Sequence, residues 1–491
     1  MPSALENLLA HSRQTVALSQ VSMLISWDQE TQMPPAGATI RAEQSAALAR
    51  VLQERRADPR IGEWIDAIDL AALTDVERCN VEEARRIHEH AVRIPADLAG
   101  ELAHAASRGQ QIWGEARKRN DFAMFAPALK HMIALRRDYA ARLARAGMSA
   151  YDALLDDYEP DTTAAEIEPL LESLRPALTA LRERIAGKPR GPKLMGRFDR
   201  REQFGLSRRI AKLIGYDFGA GRLDLAVHPF SSGSPCDARI TTRTDEADPF
   251  GAIYSTIHEV GHALYTQGQA DPFLLSAEYS SMGVHESQSR FWENQIGRSR
   301  AFTGVLFGMM KESFGDFGIA DADTFYAAVN RVETGFIRTE ADEVHYNLHI
   351  LLRFELERDL FAGRLEVEDL EEAWNERFER DFGRKVTNVS DGILQDVHWS
   401  EGYFGYFPTY SLGNIYSACL DKAMRADMPD REAMIASGET APILEWLRER
   451  IHRKGRLYPP AELIERATGE PISPQPLIDY LNDKFGALYG L

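Results

Sequence analysis

Apolar residues recur at helical spacing over most of the first 190 residues of the chain. The segments with this pattern are about 4–30, 38–56, 75–92, 96–119, 125–147 and 163–187. They are rich in Ala, Leu, Arg and Glu, which favour amphipathic helices. The first must end before Pro34-Pro35, because the residue before a proline avoids helical geometry. This part of the chain is therefore predicted to consist of long helices with little strand.

Residues 187–192 are rich in Gly and Pro and break the helical pattern. They predict a division into a helical half, about 1–190, and a second half, about 191–491, although they could equally be a loop inside one domain. Residues 228–235 are loop-like, and residues 237–244 alternate as a strand. Such a strand could be a sheet edge that binds an extended peptide, or an edge protected by its charges.

A helix is predicted next, over residues 249–268. Asp248 can cap its N-terminus, Pro249 fits the first turn, and Gly268 stands where a left-handed residue would end the helix. The apolar stripe that this helix would bury consists of Ile253, Ile257, Gly261 and Leu264.

Residues 258–262 of this helix read His-Glu-Val-Gly-His. His258 and His262 are four residues apart, so both imidazoles lie on one helix face and can bind one ion. Glu259 is offset by one position and can act on water bound to that ion. The pattern therefore predicts a catalytic zinc site with two histidine ligands and a glutamate base.

A catalytic zinc ion takes three protein ligands and leaves a fourth position for water. A second helix, predicted at residues 280–298, can supply the third ligand, and its spacing favours Glu286. Glu286 could also form only an ion pair with Arg290, four residues on. The rival ligands are Glu278, His285 and Glu293.

Two later stretches carry further candidate chemistry. Arg338 and Asp342 could form only an ion pair, and the helix that follows, up to about residue 361, holds the pair His345 and His349. Without an adjacent Glu, such a pair is usually core or surface rather than a metal site. Residues 392–416 mix His398 with aromatic side chains and glycines, which indicates a shaped loop and helix start lining a cavity. His398 and a nearby Tyr can donate hydrogen bonds to a developing oxyanion.

Composition narrows the partners of the protein. With 57 Lys and Arg against 75 Asp and Glu, the net charge of −18 disfavours nucleic acid and anionic membranes. The three cysteines, Cys79, Cys236 and Cys419, lie far apart and suggest reduced thiols. Neither a signal peptide nor a membrane span is predicted, so a cytoplasmic location is expected.

Together these residues resemble the carboxypeptidase Taq family of zinc metallocarboxypeptidases, over nearly the whole chain from Trp27-Asp28-Gln29-Glu30-Thr31 onward. The motifs that carry the resemblance are H-P-F at 228–230, D-x-R-x-T at 237–241, H-E-x-x-H at 258–262, H-E-S-Q at 285–288, I-R-x-x-A-D at 337–342 and G-x-x-Q-D-x-H-W at 392–399.

The resemblance implies a mostly α fold: a large, bundle-like helical catalytic domain with a deep active-site cleft and a small β-sheet next to the zinc helix, similar to neurolysin and angiotensin-converting enzymes. It implies a single peptidase chain that forms a homodimer. It also implies removal of C-terminal residues from peptides with broad side-chain specificity, with proline a poor fit at the released position. The expected cofactor is Zn²⁺, with Co²⁺ or another divalent metal as the alternative.

The resemblance also implies roles for single residues. Glu286 becomes the third zinc ligand, beside His258 and His262, and Glu259 the general base. Tyr410 is favoured over the other tyrosines as the partner of His398 at the oxyanion. Arg338 and Arg239, with Asp237, are the expected substrate-binding residues, because a guanidinium suits a terminal carboxylate. The sequence leaves the two arginines unranked.

Three functions remain as alternatives at this point. The first is the metallocarboxypeptidase. The second is an oligopeptidase or dipeptidyl carboxypeptidase with the same zinc chemistry. The third is a helical binding scaffold with a vestigial metal site.

Overall fold

A computed structural model describes residues 2–491, most of which are helical. The first eight helices are α1 (Ala4–Thr31), α2 (Ala38–Arg56), α3 (Pro59–Asp66), α4 (Asp75–Arg93), α5 (Ala96–Arg119), α6 (Phe122–Leu143), α7 (Ala150–Leu155) and α8 (Ala164–Ile185). The six predicted helices correspond to α1, α2, α4, α5, α6 and α8, with their ends displaced by about one turn at most. The mostly α fold is thus confirmed.

Three short strands form one sheet: β1 (Gly221–Leu225), β2 (Ser231–Ser234) and β3 (Asp237–Thr242). Their order is β1-β3-β2, with β1 parallel and β2 antiparallel to β3. The predicted strand is therefore β3, although it ends at Thr242. The prediction that it is a sheet edge is wrong, because β1 and β2 pair with its two sides. The loop predicted at residues 228–235 is also wrong in part, since Ser231–Ser234 pairs with β3 as an edge strand.

The remaining helices are α9 (Arg200–Leu213), α10 (Pro249–Gly268), α11 (Met282–Arg290), α12 (Arg300–Phe314), α13 (Ala322–Val329), α14 (Glu343–Phe361), α15 (Leu370–Phe382), α16 (His398–Glu401), α17 (Pro408–Asp427), α18 (Arg431–Ser437), α19 (Ala441–Arg450), α20 (Pro460–Thr468) and α21 (Gln475–Tyr489). α11 continues directly into a π-helical turn, Phe291–Ile296. The helix predicted at residues 280–298 therefore contains a change of helix type. Among all helices of residues 2–491, none has the length and apolar character needed to span a membrane.

The chain forms two compact units, each built from three separate stretches. The first unit comprises the chain up to Val92, Gly191–Asn330 and Tyr416–Ile472, and the second comprises Arg93–Arg190, Arg331–Ile415 and Ser473–Leu491. In the first, α10 packs against α9, α11, β2 and β3, so the small sheet lies next to this helix as predicted. In the second, α14 packs against α7, α8 and α15 and is almost wholly buried. The division near residue 190 and the deep cleft stay predictions.

Candidate active site

α10 presents the two histidines of the His-Glu-Val-Gly-His segment. Asp248 caps this helix, because its carboxylate accepts a hydrogen bond of 2.9 Å from Phe250 N. The predicted stripe is buried at Ile253, Ile257, Gly261 and Leu264. With that face fixed in the core, the rings of His258 and His262 stand side by side, their centroids 4.9 Å apart.

Two glycines of α10 allow close packing rather than special backbone geometry. A Cβ on Gly261 would stand 2.5 Å from Ser289 Cα, so only glycine permits this approach of α10 to α11. The left-handed residue predicted at Gly268 is wrong, since the helix ends at Gln269 in an extended conformation. Gly268 instead makes room for His452, whose Nδ1 would be 2.5 Å from a Cβ there.

α11 brings Glu286 to the two histidines. Ser281 caps this helix by accepting a hydrogen bond of 3.0 Å from Val284 N. Glu286 Oε2 lies 3.7 Å from His258 Nε2 and 3.3 Å from His262 Nε2. Ligand atoms that share one zinc ion at about 2.0–2.1 Å stand roughly 3.3 Å apart in a tetrahedral site. The three side chains, whose ligand atoms lie within 4.8 Å of one another, therefore fit one ion.

The second oxygen of Glu286 belongs to an ion pair. Arg290 Nε donates to Oε1 at 2.7 Å. The ion pair considered from the sequence is therefore present, and it leaves Oε2 facing the two histidines. Ser289 Oγ donates to Oε2 at 3.0 Å. Burial opposes ionisation of Glu286, but Arg290 and the two histidines outweigh it and hold the pKa of this carboxyl well below its usual range. The side chain is therefore an anion, as a metal ligand must be.

Glu293 holds the outer nitrogen of His258. His258 Nδ1 lies 2.9 Å from Glu293 Oε2, and Arg290 Nη1 and Arg298 Nη2 donate to the same carboxylate at 3.2 and 3.3 Å. Burial opposes ionisation of Glu293, but chiefly Arg290 and His258 lower its pKa to about 2. A carboxylate at Nδ1 orients an imidazole so that Nε2 faces the ion.

His285 holds the outer nitrogen of His262, since the two Nδ1 atoms are 2.6 Å apart. The ring of His285 also packs against Tyr265 and Tyr279, with centroids 5.4 and 4.9 Å away. Burial, with a smaller effect of His262, lowers the pKa of His285 well below its usual value. Of the rival ligands, His285 and Glu293 thus contact the outer nitrogens, and Glu278 lies 3.4 Å from Arg456 instead.

Glu259, the predicted base, is buried beside the histidines, with 7% of its surface exposed. Burial raises its pKa, although His258 and His262 act in the opposite direction. A carboxyl group whose pKa is raised towards neutrality is better suited to take up and return a proton.

The predicted substrate-binding residues of the first unit lie on β3. Arg239 donates to both oxygens of Asp237, at 2.8 and 2.9 Å, and its guanidinium lies 4.1 Å from the centre of the Trp27 ring. Trp27 also has Arg222 against its ring, at 4.8 Å. Trp27, Asp237 and Arg239, with Leu24 of α1 and the edge of β2, line a cavity of about 210 Å³. Nη1 of Arg239 remains available there for an acceptor.

Arg338, in the second unit, binds Asp396 rather than Asp342. Its Nε and Nη2 donate to Asp396 Oδ1 at 3.0 and 2.8 Å, and Nη1 donates to Tyr346 Oη at 3.1 Å. The ion pair considered between Arg338 and Asp342 is absent from the described chain, because Asp342 caps α14 through Val344 N. Two of the five N–H groups of Arg338 are left for a further acceptor.

A second arginine shares the carboxylate of Asp396. Arg353 Nε donates to Asp396 Oδ2 at 2.7 Å. Burial opposes ionisation of Asp396, but Arg338 and Arg353 hold its pKa well below its usual range. The buried group of two guanidinium ions and one carboxylate has a net positive charge, which favours an anionic ligand.

His398 and Tyr410 lie within reach of each other, with His398 Nε2 3.3 Å from Tyr410 Oη. The His398 ring packs on Phe407, at a centroid distance of 4.7 Å. Burial, helped by Arg338 and opposed by Asp396, lowers the pKa of His398 to about 4. The imidazole is therefore neutral near pH 7 and can still donate one N–H.

The sequence profile of the carboxypeptidase Taq (M32) metallopeptidases matches residues 7–485. The chain belongs to this family. It is 43% identical to thermostable carboxypeptidase 1 of Thermus thermophilus, over 99% of both chains, and 37% identical to carboxypeptidase 1 of Bacillus subtilis, over 96% of both. Of the three functions left open by the sequence, the metallocarboxypeptidase is thereby confirmed.

Solved structures of the M32 family have the same fold. The M32 carboxypeptidase of Deinococcus radiodurans superposes with a TM-score of 0.94 at 38% identity, covering 99% of this chain and all of the other. A carboxypeptidase of Pyrococcus furiosus gives 0.95 at 35% identity, with 99% of each chain covered. A metallocarboxypeptidase 1 of Trypanosoma cruzi gives 0.94 at 33%, over 98% of this chain and 99% of the other.

An M32 metallopeptidase needs a divalent metal, and the first unit offers a donor set that fits one. Two imidazoles and a carboxylate suit zinc or cobalt, and both outer Nδ1 atoms already have partners that leave Nε2 for the ion. His345 and His349 are different: His345 Nδ1 binds Asp342 at 2.9 Å, and His349 is wholly buried against Phe382. Neither joins a group of three metal-binding side chains within residues 2–491.

The sequence did not predict the contacts of several residues described above. Glu293 and His285 were considered as ligands, not as partners of the outer nitrogens. Asp396 was noted only within its motif, and Arg353 was not singled out. The nearest signal was the spacing of Arg290 and Glu293, which indicates a charged helix face but not its target.

Proposed function

We propose that this metallocarboxypeptidase holds a zinc ion with His258, His262 and Glu286, and hydrolyses the C-terminal peptide bond of peptides. The observation that carries the proposal is the convergence of the three ligand atoms within 4.8 Å, with both outer histidine nitrogens already bonded. When bound, zinc supplies a Lewis acid that lowers the pKa of water and polarises the scissile carbonyl.

Glu259 is the proposed general base. Its carboxylate takes the proton of the attacking water and then returns it to the leaving amine. The burial that raises its pKa supports this role, because the protonated form must persist long enough to act as an acid.

His398 and Tyr410 are the proposed donors to the oxyanion of the tetrahedral intermediate. The hydroxyl of Tyr410 and the N–H of neutral His398 are hydrogen-bond donors, and with 3.3 Å between Oη and Nε2 the hydrogen that one now donates to the other would turn to the oxyanion. Donors fixed before the reaction stabilise developing charge without a cost of reorganisation.

Arg338 and Arg239 are the proposed binders of the free carboxylate of the substrate. Arg338 has two N–H groups that its bonds to Asp396 and Tyr346 do not use. Together with Arg353 and Asp396 it forms a group with a net positive charge. Arg239 keeps Nη1, and Asp237 orients its guanidinium. Each Arg→Lys variant should be assayed on matched peptides that end in a free acid or an amide. The arginine that binds the carboxylate is the one whose loss raises KM for the free acid alone.

The central experiment is mass spectrometry of a peptide ladder, with the enzyme loaded with metal, treated with chelator, or carrying Glu259→Gln. We expect single C-terminal residues to be released by the loaded enzyme and not after chelation. Glu259→Gln should retain stoichiometric metal and lose about 10²–10⁴-fold in kcat. Near wild-type turnover by that variant would remove Glu259 from the mechanism.

Broad side-chain specificity, poor release of proline, a homodimer and a cytoplasmic location complete the proposal. They are supported by the family resemblance and, for the location, by the sparse and scattered cysteines. A peptide library with all twenty C-terminal residues tests the specificity, and sedimentation equilibrium tests the dimer. Metal analysis of enzyme purified without added zinc tests the choice of ion.

A further inference from the structure

A fully buried carboxylate lies in the second unit, on α14, and has no part in the steps above. Glu357 is 0% exposed. Its Oε2 accepts hydrogen bonds from Tyr151 Oη at 2.9 Å and from Gly405 N at 3.0 Å, and its Oε1 accepts one from Trp399 Nε1 at 2.7 Å. Within the described chain no Lys, Arg or His forms an ion pair with it.

The three donors come from three different parts of this unit. Tyr151 is on α7, Trp399 on α16, and Gly405 in the turn before α17. Trp399 directly follows His398, and Gly405 stands five residues before Tyr410. One carboxylate is thus bonded twice to the segment 398–410, which contains both proposed oxyanion donors.

The turn at Gly405 requires glycine and packs closely against the end of α7. Gly405 has a φ of +79°, and a Cβ there would stand 2.7 Å from Leu155 N. Trp399 is enclosed by aromatic rings, stacked on Phe404 and edge-on to Phe407, which in turn packs on His398. Displacing the indole would therefore shift the ring that supports His398.

Core stability alone does not explain this arrangement. A buried carboxylate without an ion-pair partner carries a desolvation cost that its hydrogen bonds must offset, and apolar side chains of similar volume usually pack as well. Burial raises the pKa of Glu357 to about 7, although its three hydrogen-bond donors lower it. The raised pKa is a consequence of this desolvation cost. Buried polar groups of this kind can fix one conformation among several.

We propose that Glu357 is a positioning residue for the reaction: through Trp399 and Gly405 it holds the segment 398–410 so that His398 and Tyr410 keep the geometry needed at the oxyanion. The inference rests on the roles proposed above for His398 and Tyr410. The hydrogen bonds of Glu357 to Trp399 and Gly405 are the route by which it would act on these two side chains.

Two variants test the proposal, and they disturb the hydrogen bonds of Glu357 to different extents. Glu357→Gln keeps the size of the side chain but turns an NH₂ group towards donors, and Trp399→Phe removes only the indole N–H and one ring. If Glu357 positions the donors, Glu357→Gln should lower kcat by about 10–100-fold while KM changes by less than about threefold. Trp399→Phe should lower kcat by about fivefold, and the double variant should be no worse than Glu357→Gln, because the two residues act as one unit.

Asp381→Asn is the matched control for loss of a buried acid. Asp381 is also fully buried in the second unit, where it pairs with Arg175 and Arg380 and, within the described residues, forms no side-chain hydrogen bond to the segment 398–410. This variant should lose stability and keep kcat within about twofold of the wild type. If Glu357→Gln and Trp399→Phe lower kcat no more than Asp381→Asn does at the same fraction folded, the proposal is wrong.

His398→Gln and Tyr410→Phe distinguish a failure of this inference from a failure of the oxyanion mechanism on which it rests. Both should lower kcat by about 10²-fold or more if they stabilise the oxyanion. Should they leave kcat unchanged, the proposed oxyanion donors fail, and the positioning role of Glu357 fails with them. Should they lower kcat while the Glu357 and Trp399 variants match the Asp381 control, only the positioning role is overturned.

Discussion

Each histidine of the metal centre turns Nε2 towards Glu286 and has Nδ1 bonded to an outer side chain. For His262 the outer partner is another imidazole, so the two Nδ1 atoms must share a single proton. A neutral His262 that binds an ion through Nε2 carries that proton on Nδ1. His285 Nδ1 must then accept the hydrogen bond from His262, and His285 must carry its own proton on Nε2. The tautomers of both rings are thereby fixed.

Replacing His285 should therefore weaken metal binding without removing a ligand. His285→Phe eliminates the acceptor for His262 and should reduce metal affinity about 10–100-fold, as for other partners of metal-bound histidines. His285→Asn can place Oδ1 near the position of Nδ1 and should keep most of the affinity. Competition with a chromophoric chelator measures both.

Tyr279→Phe is the control for this series, since the Tyr279 ring packs edge-on against His285 and the change keeps that ring. Its metal affinity should stay close to that of the wild type. If His285→Phe binds metal as tightly as Tyr279→Phe does, the contact between the two histidines has no influence on the site.

The sequence predicted roles for His258, Glu259 and His262 directly, because their spacing is local and helix geometry places the two histidines on one face. Spacing gave Glu286 only a small advantage over Glu278, His285 and Glu293, and the family resemblance added the rest. For Glu293 the reason is physical, because this residue follows Phe291, where α11 changes to a π-helical turn. Such a turn rotates every following side chain, and no pattern in the residues indicates where it occurs.

At the scale of elements, the metal centre depends on how closely α10 and α11 cross. Gly261 stands at that crossing, where a Cβ would meet Ser289 Cα at 2.5 Å and Gln288 O at 2.7 Å. Gly261→Ala should destabilise the protein by about 1–3 kcal/mol, as overpacking does, and lower metal occupancy by separating Glu286 from the histidines. Urea denaturation and metal analysis after dialysis measure the two effects.

Gly251→Ala provides the comparison in the same helix. Nothing lies within 4 Å of a Cβ at Gly251, and alanine favours a helix by up to about 1 kcal/mol over glycine. This variant should be as stable as the wild type or more so, with full metal occupancy. Equal urea midpoints for the two alanine variants would show that the crossing tolerates a side chain at Gly261.

The sheet contains one strand that the sequence predicted, β3, and one that it did not, β2. β3 was predicted because its residues alternate, whereas β2, with the sequence Ser-Ser-Gly-Ser, has little strand preference of its own. It is a strand because residues 231–234 pair with β3 across a turn, with Gly233 at a φ of +123°. Pairing of this kind depends on the partner strand, so the residues of β2 alone do not reveal it.

The raised pKa of Glu357 predicts a pH dependence of stability. The pKa is about 7 in the folded protein against 4.5 ordinarily, so the folded state binds the proton more tightly. The stability contributed by this proton is complete below about pH 4.5 and is lost as the pH rises through about 7. Relative to Glu357→Gln, the wild type should therefore lose about 2–4 kcal/mol in free energy of unfolding over that range. Parallel pH profiles for the two proteins would contradict this.

At the scale of the whole molecule, the chain passes repeatedly between two compact units. The three proposed metal ligands and Glu259 belong to the first unit, whereas Arg338, His398 and Tyr410 belong to the second. The sequence predicted one division near residue 190, because a turn-rich stretch is a local signal. Assembly of each unit from three distant stretches depends on long-range packing, which local patterns do not record.

Metal binding should consequently stabilise the first unit directly. Without an ion, the buried carboxylates of Glu259 and Glu286 and the half-buried carboxylate of Glu293 have only histidines and arginines to offset their charge, so α10 and α11 should open more often. Hydrogen exchange followed by mass spectrometry should show amides of these helices exchanging about tenfold faster after chelation, a difference of roughly 1.4 kcal/mol in opening free energy. Amides of α14, in the second unit, should change less than about threefold.

Glu286→Gln should remove the metal effect on α10 and α11, because it lacks the anionic ligand. Equal acceleration in α14 and α10 would mean that the two units open together and that the ion stabilises the whole chain as one cooperative structure.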